Sequence, residues 1–368
     1  MNSKQFDVPL IVWTLIVAAS PFYIFPSGMP QIGDYLYAFY GCGLIAVRLS
    51  SQWSPAIRRL LPFVIYGVVI NIAWYVVCSN IDFLFSAAFL TFNFVVFSAA
   101  SHLTEALGPR KVIRATLLGL LAGTLFQEFT ALTASHVRFA GTFHNPNQLA
   151  AFVVVTLCFV SIAFRRNAIM RWMIPMTIAG VLCGFHLLVL TLSRAGILAG
   201  ISLVVMTVLA DLRKMVVLSI LVIIVGLTGT QFDVLGRIET RFASRRVSLA
   251  RELEIRGVSR LWNYPEYLLL GAGEGADHRF REGTRTGLEI HNTAAVVLFS
   301  YGIIGAGLSI AVVRAIYCND PGSLRYMLPL FMYSLTHNTI RQTEIWVLVA
   351  IALSLDAVSR KKGPSLEL

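Results

Sequence analysis

Residues 288–305 read LEIHNTAAVVLFSYGIIG, with Glu289, His291 and Asn292 directly before an apolar run long enough to enter a bilayer. That run decides the fold, because the same pattern recurs along the chain. Of the 368 residues, 57% are apolar and only 13% charged, and the mean hydropathy is +0.72. A soluble protein of this size could not hide so much apolar surface, whereas a polytopic membrane protein exposes it to lipid. At about 20 residues per span, the apolar runs place membrane helices near 8–27, 32–48, 60–79, 81–100, 115–133, 148–164, 172–191, 195–210, 215–231, 292–313, 326–340 and 344–359. The expectation is an all-α membrane protein of about twelve spans. The first span is too long for a signal peptide, and Pro21 follows the only small-residue cluster, AAS.

The cations orient these spans. With the N-terminus inside, the inner loops carry Lys4, Arg48, Arg58, Arg59, Arg110, Lys111, Arg114, Arg165, Arg166, Arg171, Arg213, Lys214, Arg314, Arg325, Arg360, Lys361 and Lys362. The short outer loops hold only Arg138, Arg194 and Arg341. Such a bias puts both termini in the cytoplasm and makes 232–290 one long extracytoplasmic loop inserted into a single membrane domain, 1–368. The formal charge of +11 then mostly reflects the inner-face bias and does not point to nucleic acid. Every outer cation is arginine, while all five lysines are inside. Arginine's planar fork suits phosphate, although an arginine-rich genome gives the same count. The cysteines, Cys42, Cys78, Cys158, Cys183 and Cys318, show no paired spacing and imply neither a disulfide framework nor a metal site.

Three polar motifs open three of the expected spans: GTFHNPNQLAAF (141–152), LTLSRAGILAG (190–200) and EIHNTAAVV (289–297). In the topology above all three helices begin at the outer face. A helix start exposes unpaired N–H groups and the positive end of a dipole, which together favour anions. Asn147, Ser193 and Thr293 are the expected N-caps, and Asn145 and Asn292 accompany them. Gly196 would let the eighth helix pack closely. Arg194 stands one residue past its cap, at a depth where an arginine is costly unless it is paired or faces water. Snorkelling to the surface is the alternative for Arg194, and ordinary capping is the alternative for the asparagines and Ser193.

The long loop opens with an arginine-rich, helix-like segment, RIETRFASRRVSLARELEIRGVSRLWNYPEY (237–267). Arg256 and Arg260, four apart, would share one helical face, and Pro265 would end that helix. The arginines of 237–256 would also suit a helix lying flat on lipid. LLLGAGEGADHRF (268–280) follows, with Glu274 in a glycine-rich turn. Its spacing lacks the strand and helix context of a nucleotide site. It reads instead as a tight turn back to the membrane, with Arg279 and Arg281 at the surface. His337 and Arg341, four apart, would share a face at the end of the eleventh span.

A lipid-linked sugar diphosphate at the outer leaflet is one substrate whose chemistry these residues would fit. Breaking the anomeric bond of a lipid-linked sugar diphosphate releases a leaving group that needs charge stabilisation, which Arg194 with Arg256 or Arg260 would supply. A histidine among arginines is disfavoured in its protonated form, so His291 would accept the incoming hydroxyl's proton; a capping or interfacial histidine with no chemistry is the alternative. Neither ATP nor a metal is required. A transporter is the non-enzymatic alternative, but transporters carry internal repeats and mid-membrane charges, whereas here the polar residues collect at one face.

The order GTFHNPNQLA, LSRAG, a long loop with RGVSR, PEY and GAGEG, then EIHNT before a span resembles the O-antigen ligase and O-antigen polymerase family of bacterial envelope glycosyltransferases. The resemblance covers roughly 140–345. It implies a GT-C-like fold in the bacterial inner membrane, with a periplasmic loop and active site. The implied reaction is inverting, metal-independent transfer of glycan from undecaprenyl diphosphate to a hydroxyl. It implies essential arginines at Arg194 and at Arg256 or Arg260, and a histidine base at His291. Asn145, Asn147, Ser193, Glu274, Glu289, Asn292, His337 and Arg341 are the expected substrate contacts. No cofactor is implied. The partners would be the lipid-linked donor, a glycan or lipid A–core acceptor, membrane lipid and a chain-length regulator. PEYLLLGAGEG with EIHNT resembles the polymerase branch more than the ligase branch. One departure concerns Trp262: family members often place an arginine four residues before a tryptophan, but here Arg256 precedes it by six and Arg260 by two.

Overall fold

The computed structural model describes residues 7–26, 29–48, 53–132, 138–210, 236, 239, 248–280 and 289–361, and no strand occurs among them. The helices are α1 (Val8–Ala19), α2 (Ile32–Arg48), α3 (Pro55–Cys78), α4 (Asp82–Leu107), α5 (Pro109–Ala131), α6 (Pro146–Arg165), α7 (Ile174–Thr191) and α8 (Arg194–Ala210). After the loop's short helices α9 (Leu249–Ile255) and α10 (Arg260–Asn263) come α11 (Thr293–Asn319), α12 (Pro321–Ser334) and α13 (Thr343–Lys361). Among the described residues, six helices are long and apolar enough to cross a membrane: α3, α4, α5, α6, α7 with its leading 3-10 turn, and α11. Phe39 and Val47 are 78% and 80% exposed, a surface that suits hydrocarbon better than water. This is a helical membrane protein.

The expected span near 215–231 lies outside the described residues, and each of the others falls on a helix. Two boundaries need correction. The first helix stops at Ala19 rather than reaching 27, because Pro21 offers no N–H to continue the ladder. The eleventh expected span, 326–340, ends early at Ser334. Its intended last turn is instead irregular chain, with the Ser334 hydroxyl bonded to Thr339.

The chain forms two compact units. The first comprises Met1–Tyr40, Leu103–Arg245 and Gly322–Tyr333. Here α5 packs on α1, α6 and α7, and α6 packs on α7 and α8. The Trp13 indole donates to Thr116 Oγ1 at 2.9 Å, tying α1 to α5. Of the span in α6, 72% is buried, so it is the core helix of this unit.

The second unit comprises Gly41–His102, Arg246–Pro321 and Ser334–Leu368, with α3, α11 and α13 packed on one another. The loop folds against α11 through Val258, Ala272, Phe280, Ile290, Ala295, Val296 and Phe299. Phe280 is its hub, edge-on to Tyr264, Tyr267 and Phe299.

Candidate functional site

In the first unit, α6 and α8 begin together. Asn145, not Asn147, is the cap of α6: its side chain accepts the Asn147 N–H at 2.9 Å. Pro146 occupies the first helical position, where a missing N–H costs nothing, and this places the cap at Asn145, two residues before Asn147. Asn147 is thereby released for other work. Its amide oxygen accepts from Arg138 Nη2 at 3.3 Å and its carbonyl from the Tyr333 hydroxyl at 2.6 Å.

Ser193 caps α8 as expected, accepting from Gly196 N at 3.3 Å. The sharp entry is made by Leu192 in the left-handed region, φ 48°. A Cβ on Gly196 would lie 2.9 Å from the Ala150 Cβ, which is the close approach of α8 to α6 that its sequence position suggested. Arg138 Nε donates to the Thr191 carbonyl at 3.0 Å, so this one guanidinium clasps the end of α7 to the start of α6. The Tyr333 hydroxyl also bonds Ser193. Arg194 is half-buried in the first turn of α8. Asn145, Asn147, Ser193 and Arg194 therefore come together, with Arg138 and Tyr333 among them.

In the second unit, the glycine-rich turn is a clasp. The helix α11 is interrupted at Gly302 (φ 65°, ψ −171°), which frees carbonyls from the helical ladder. The Phe299 and Ser300 carbonyls are taken by Ala272 N at 2.8 Å and Gly273 N at 2.9 Å. A side chain on Gly271 would strike the Ser300 carbonyl, and one on Gly302 would strike that of Leu269, so both positions require glycine. Trp74 Nε1 donates to the Gly271 carbonyl at 2.9 Å, and Glu274 N donates to Asn71 Oδ1 at 2.7 Å.

This clasp sets Glu274 in the interior, 7% exposed. The Tyr301 hydroxyl donates to its Oε2 at 2.6 Å, and Arg341 Nε donates to its Oε1 at 2.7 Å. Arg341 Nη1 also reaches Glu289 at 3.5 Å, and Glu289 accepts from Asn338 at 2.9 Å. Glu274, and then Glu289, hold the Arg341 guanidinium more firmly protonated than usual.

The start of α11 is capped by Asn292, not Thr293. Asn292 accepts from Ala295 N at 2.8 Å and donates to the Leu335 carbonyl at 2.8 Å. The extended backbone of Asn292, φ −159°, gives it the cap geometry. Thr293 reaches sideways instead, to the His337 carbonyl at 2.9 Å and Thr339 at 3.0 Å. His337 and Arg341 thus do not share a helical face. They lie in the irregular stretch that wraps the start of α11, and His337 contributes its carbonyl.

Arg256 and Arg260 do not share a helical face either. After Ile255 the helix is closed by Arg256 and Gly257 (φ 69°), and a new one begins at Arg260. Arg256 pairs with Glu252 at 2.7 Å and donates to the Thr336 carbonyl at 2.7 Å. Its own carbonyl accepts the His291 N–H at 3.0 Å, while the His291 side chain remains exposed. Arg260 is buried, pairs with Asp277 at 2.5 Å and lies 5.2 Å from the Phe280 ring centre. Burial raises the Asp277 carboxyl above its usual range, outweighing the opposing pull of Arg260. His291, Arg256, Asn292 and His337 form one neighbourhood, and Glu274, Glu289 and Arg341 form another.

Arg279 corrects a further expectation. It is half-buried among the rings of Trp74, Phe83 and Phe280, all within 5.0 Å of its guanidinium carbon, and burial lowers its pKa. Arg281, like Arg237, Arg241, Arg245 and Arg246, lies outside the described residues. His186 also has a partner that sequence reasoning missed, Glu128 at 2.6 Å. Arg138 entered the reading only as a topology marker, and Tyr333 not at all. Asn71 and Asn93 did carry a signal: each is an amide within a long apolar helix.

No family model matches the chain, and a search of curated proteins finds no relative.

Proposed function

We propose that the chain is an inner-membrane glycosyltransferase that polymerises undecaprenyl-diphosphate-linked oligosaccharide repeats at the periplasmic face. The observation that carries this reading is the joint start of α6 and α8, where Arg138 and Arg194 stand among Ser193, Asn147 and their helix N-termini. Two helix N-termini with Arg138 and Arg194 beside them favour a phosphate-bearing ligand.

In this reading Arg194 and Arg138 take the charge that builds on the diphosphate, supported by the positive ends of the two helix dipoles. The acceptor hydroxyl attacks the anomeric carbon from the opposite face, and its new C–O bond forms as the bond to the diphosphate breaks. The electron pair leaves on undecaprenyl diphosphate, and the hydroxyl passes its proton to a base, for which the sequence offers His291. Inversion follows from the single displacement. His291 suits that role because Arg256 fixes its backbone while its imidazole stays exposed. Arg256 and Arg260 act in this scheme as positioning residues, since each already holds a carboxylate.

Deleting the gene and examining surface glycan tests the assignment and its branch. Single repeats on lipid A–core are expected for a polymerase. Polymer stranded on its lipid carrier would instead make the chain a ligase, with the same chemistry and a different acceptor. Unchanged glycan would remove the reading.

A further inference from the structure

One exposed face of α3 carries a groove that the scheme above leaves unused. Arg58, Leu61, Ile65 and Val69 recur three and four residues apart, the spacing of one helical face. With Tyr66 and with Leu308 of α11 they line an open groove of about 500 Å³, within the usual size of a ligand site. Ile65 and Val69 are 53% and 55% exposed. From Arg58 to Val69 the groove climbs α3 by about 17 Å, at ~1.5 Å per residue. That is about half of the ~30 Å hydrocarbon core, the depth of one leaflet.

The two ends of the groove differ. At one end Arg58 stands exposed in the first turn of α3, and among the described residues no hydrogen bond or ion pair holds its guanidinium. Its neighbour Arg59 donates to Asn319 Oδ1 at 3.0 Å, tying this end of α3 to the end of α11. Towards the other end the Tyr66 hydroxyl donates to the Leu270 carbonyl at 2.7 Å, so the loop's turn meets the groove midway along the span. Leu269 and Leu270 are themselves exposed and continue the apolar surface. The lining dictates the occupant: a flexible apolar chain about one leaflet long that ends in negative charge. Arginine at the end of a membrane helix suits a lipid phosphate. A water-soluble anion would leave the apolar length uncovered, and a neutral lipid would leave Arg58 without a counter-charge.

We propose that this groove binds one acyl chain of an anionic phospholipid from the leaflet on Arg58's side, with the Arg58 guanidinium on the lipid phosphate. The proposal does not depend on the glycosyltransferase reading.

Native mass spectrometry tests it on the full-length protein, released from detergent containing graded phosphatidylglycerol or phosphatidylcholine with identical acyl chains. One phosphatidylglycerol is expected to stay bound in preference to phosphatidylcholine. Arg58→Gln is expected to weaken phosphatidylglycerol about five-fold, the scale for one arginine near an anionic headgroup. Arg58→Lys keeps the charge and is expected to keep most of the preference. Arg171→Gln removes an exposed arginine that does not line the groove and is expected to change nothing. Val69→Trp fills the apolar end and is expected to weaken both lipids alike. Thermal unfolding in detergent checks that each variant is folded, and the exposed Arg58 variants carry the test if Val69→Trp is not. Equal retention of the two lipids by the wild type overturns the proposal. So does a loss from Arg58→Gln no greater than that from Arg171→Gln, or full retention of both lipids in a folded Val69→Trp.

Discussion

Arg138 of the first unit and three arginines of the second have different partners. In the first, Arg138 donates to the Thr191 carbonyl and to the Asn147 amide oxygen. In the second, Arg256, Arg260 and Arg341 each hold a carboxylate: Glu252, Asp277 and Glu274. A guanidinium on neutral acceptors keeps its charge for an anion, whereas one on a carboxylate has largely spent it. In the proposed function the first unit would bind the anion and the second would position the reactants. An abundance of arginine is therefore not itself an anion site, because the partners decide.

The largest expected effect follows from this division. Arg194→Ala should lower glycan polymerisation by about 10²–10³-fold, the scale for losing a donor to developing negative charge. Protein level in the membrane should be unaffected, as read by immunoblot beside the glycan ladder. A comparable loss of rate from Arg260→Lys, with stability intact, would break the comparison by giving the second unit an anion-binding arginine.

Removing Arg341 should act on stability. Arg341→Ala leaves the buried Glu274 carboxylate without its partner, and unpaired buried charges cost several kcal/mol. Arg341 is 40% exposed, so solvent screening reduces the expected cost to about 2 kcal/mol. Thermal unfolding in detergent measures it, and adding Glu274→Gln should recover part of the loss.

Asp277 gives a smaller, pH-dependent effect. Its carboxyl titrates above the usual range chiefly because it is buried. A carboxyl whose folded pKa exceeds its unfolded one favours folding only while protonated. That contribution is complete below about pH 3.9 and fades as the pH rises through the raised value. Stability should therefore decline across that window in the wild type and change less in Asp277→Asn. A contribution that grows with pH would make the Arg260 pairing dominant instead. The smallest effect expected is from Asn292→Ala, about 1 kcal/mol for a lost N-cap, with Thr293→Val leaving the cap intact.

Much of the helical layout was legible because apolar runs of span length have few alternatives in a chain this hydrophobic. The cap positions were less so. Pro146 shifted the cap of α6 from Asn147 to Asn145, and the extended backbone of Asn292 took the role expected of Thr293. Both are choices between residues one or two positions apart that can each cap a helix, decided by backbone angles that composition does not reveal. The loop misled more strongly. Periodicity suggested one helix through Arg256 and Arg260, but Gly257 takes a left-handed turn, and a glycine inside a helical pattern was the available warning. Arg279 looked like a surface residue because nothing nearby in sequence announces Trp74 and Phe83, about two hundred positions away. Nor was the role of the GAGEG turn legible, since its partner is the break at Gly302 in α11. The glycines on both sides were visible, but their mutual fit required the fold.

The most direct measurement uses purified protein in detergent with an undecaprenyl-diphosphate-linked repeat unit as sole substrate. Release of undecaprenyl diphosphate should accompany glycan lengthening in equal amounts, and both should disappear in Arg194→Ala and in His291→Ala. Turnover at the wild-type rate in either variant would contradict the account, and so would a wild-type protein that binds the lipid-linked unit and never lengthens it.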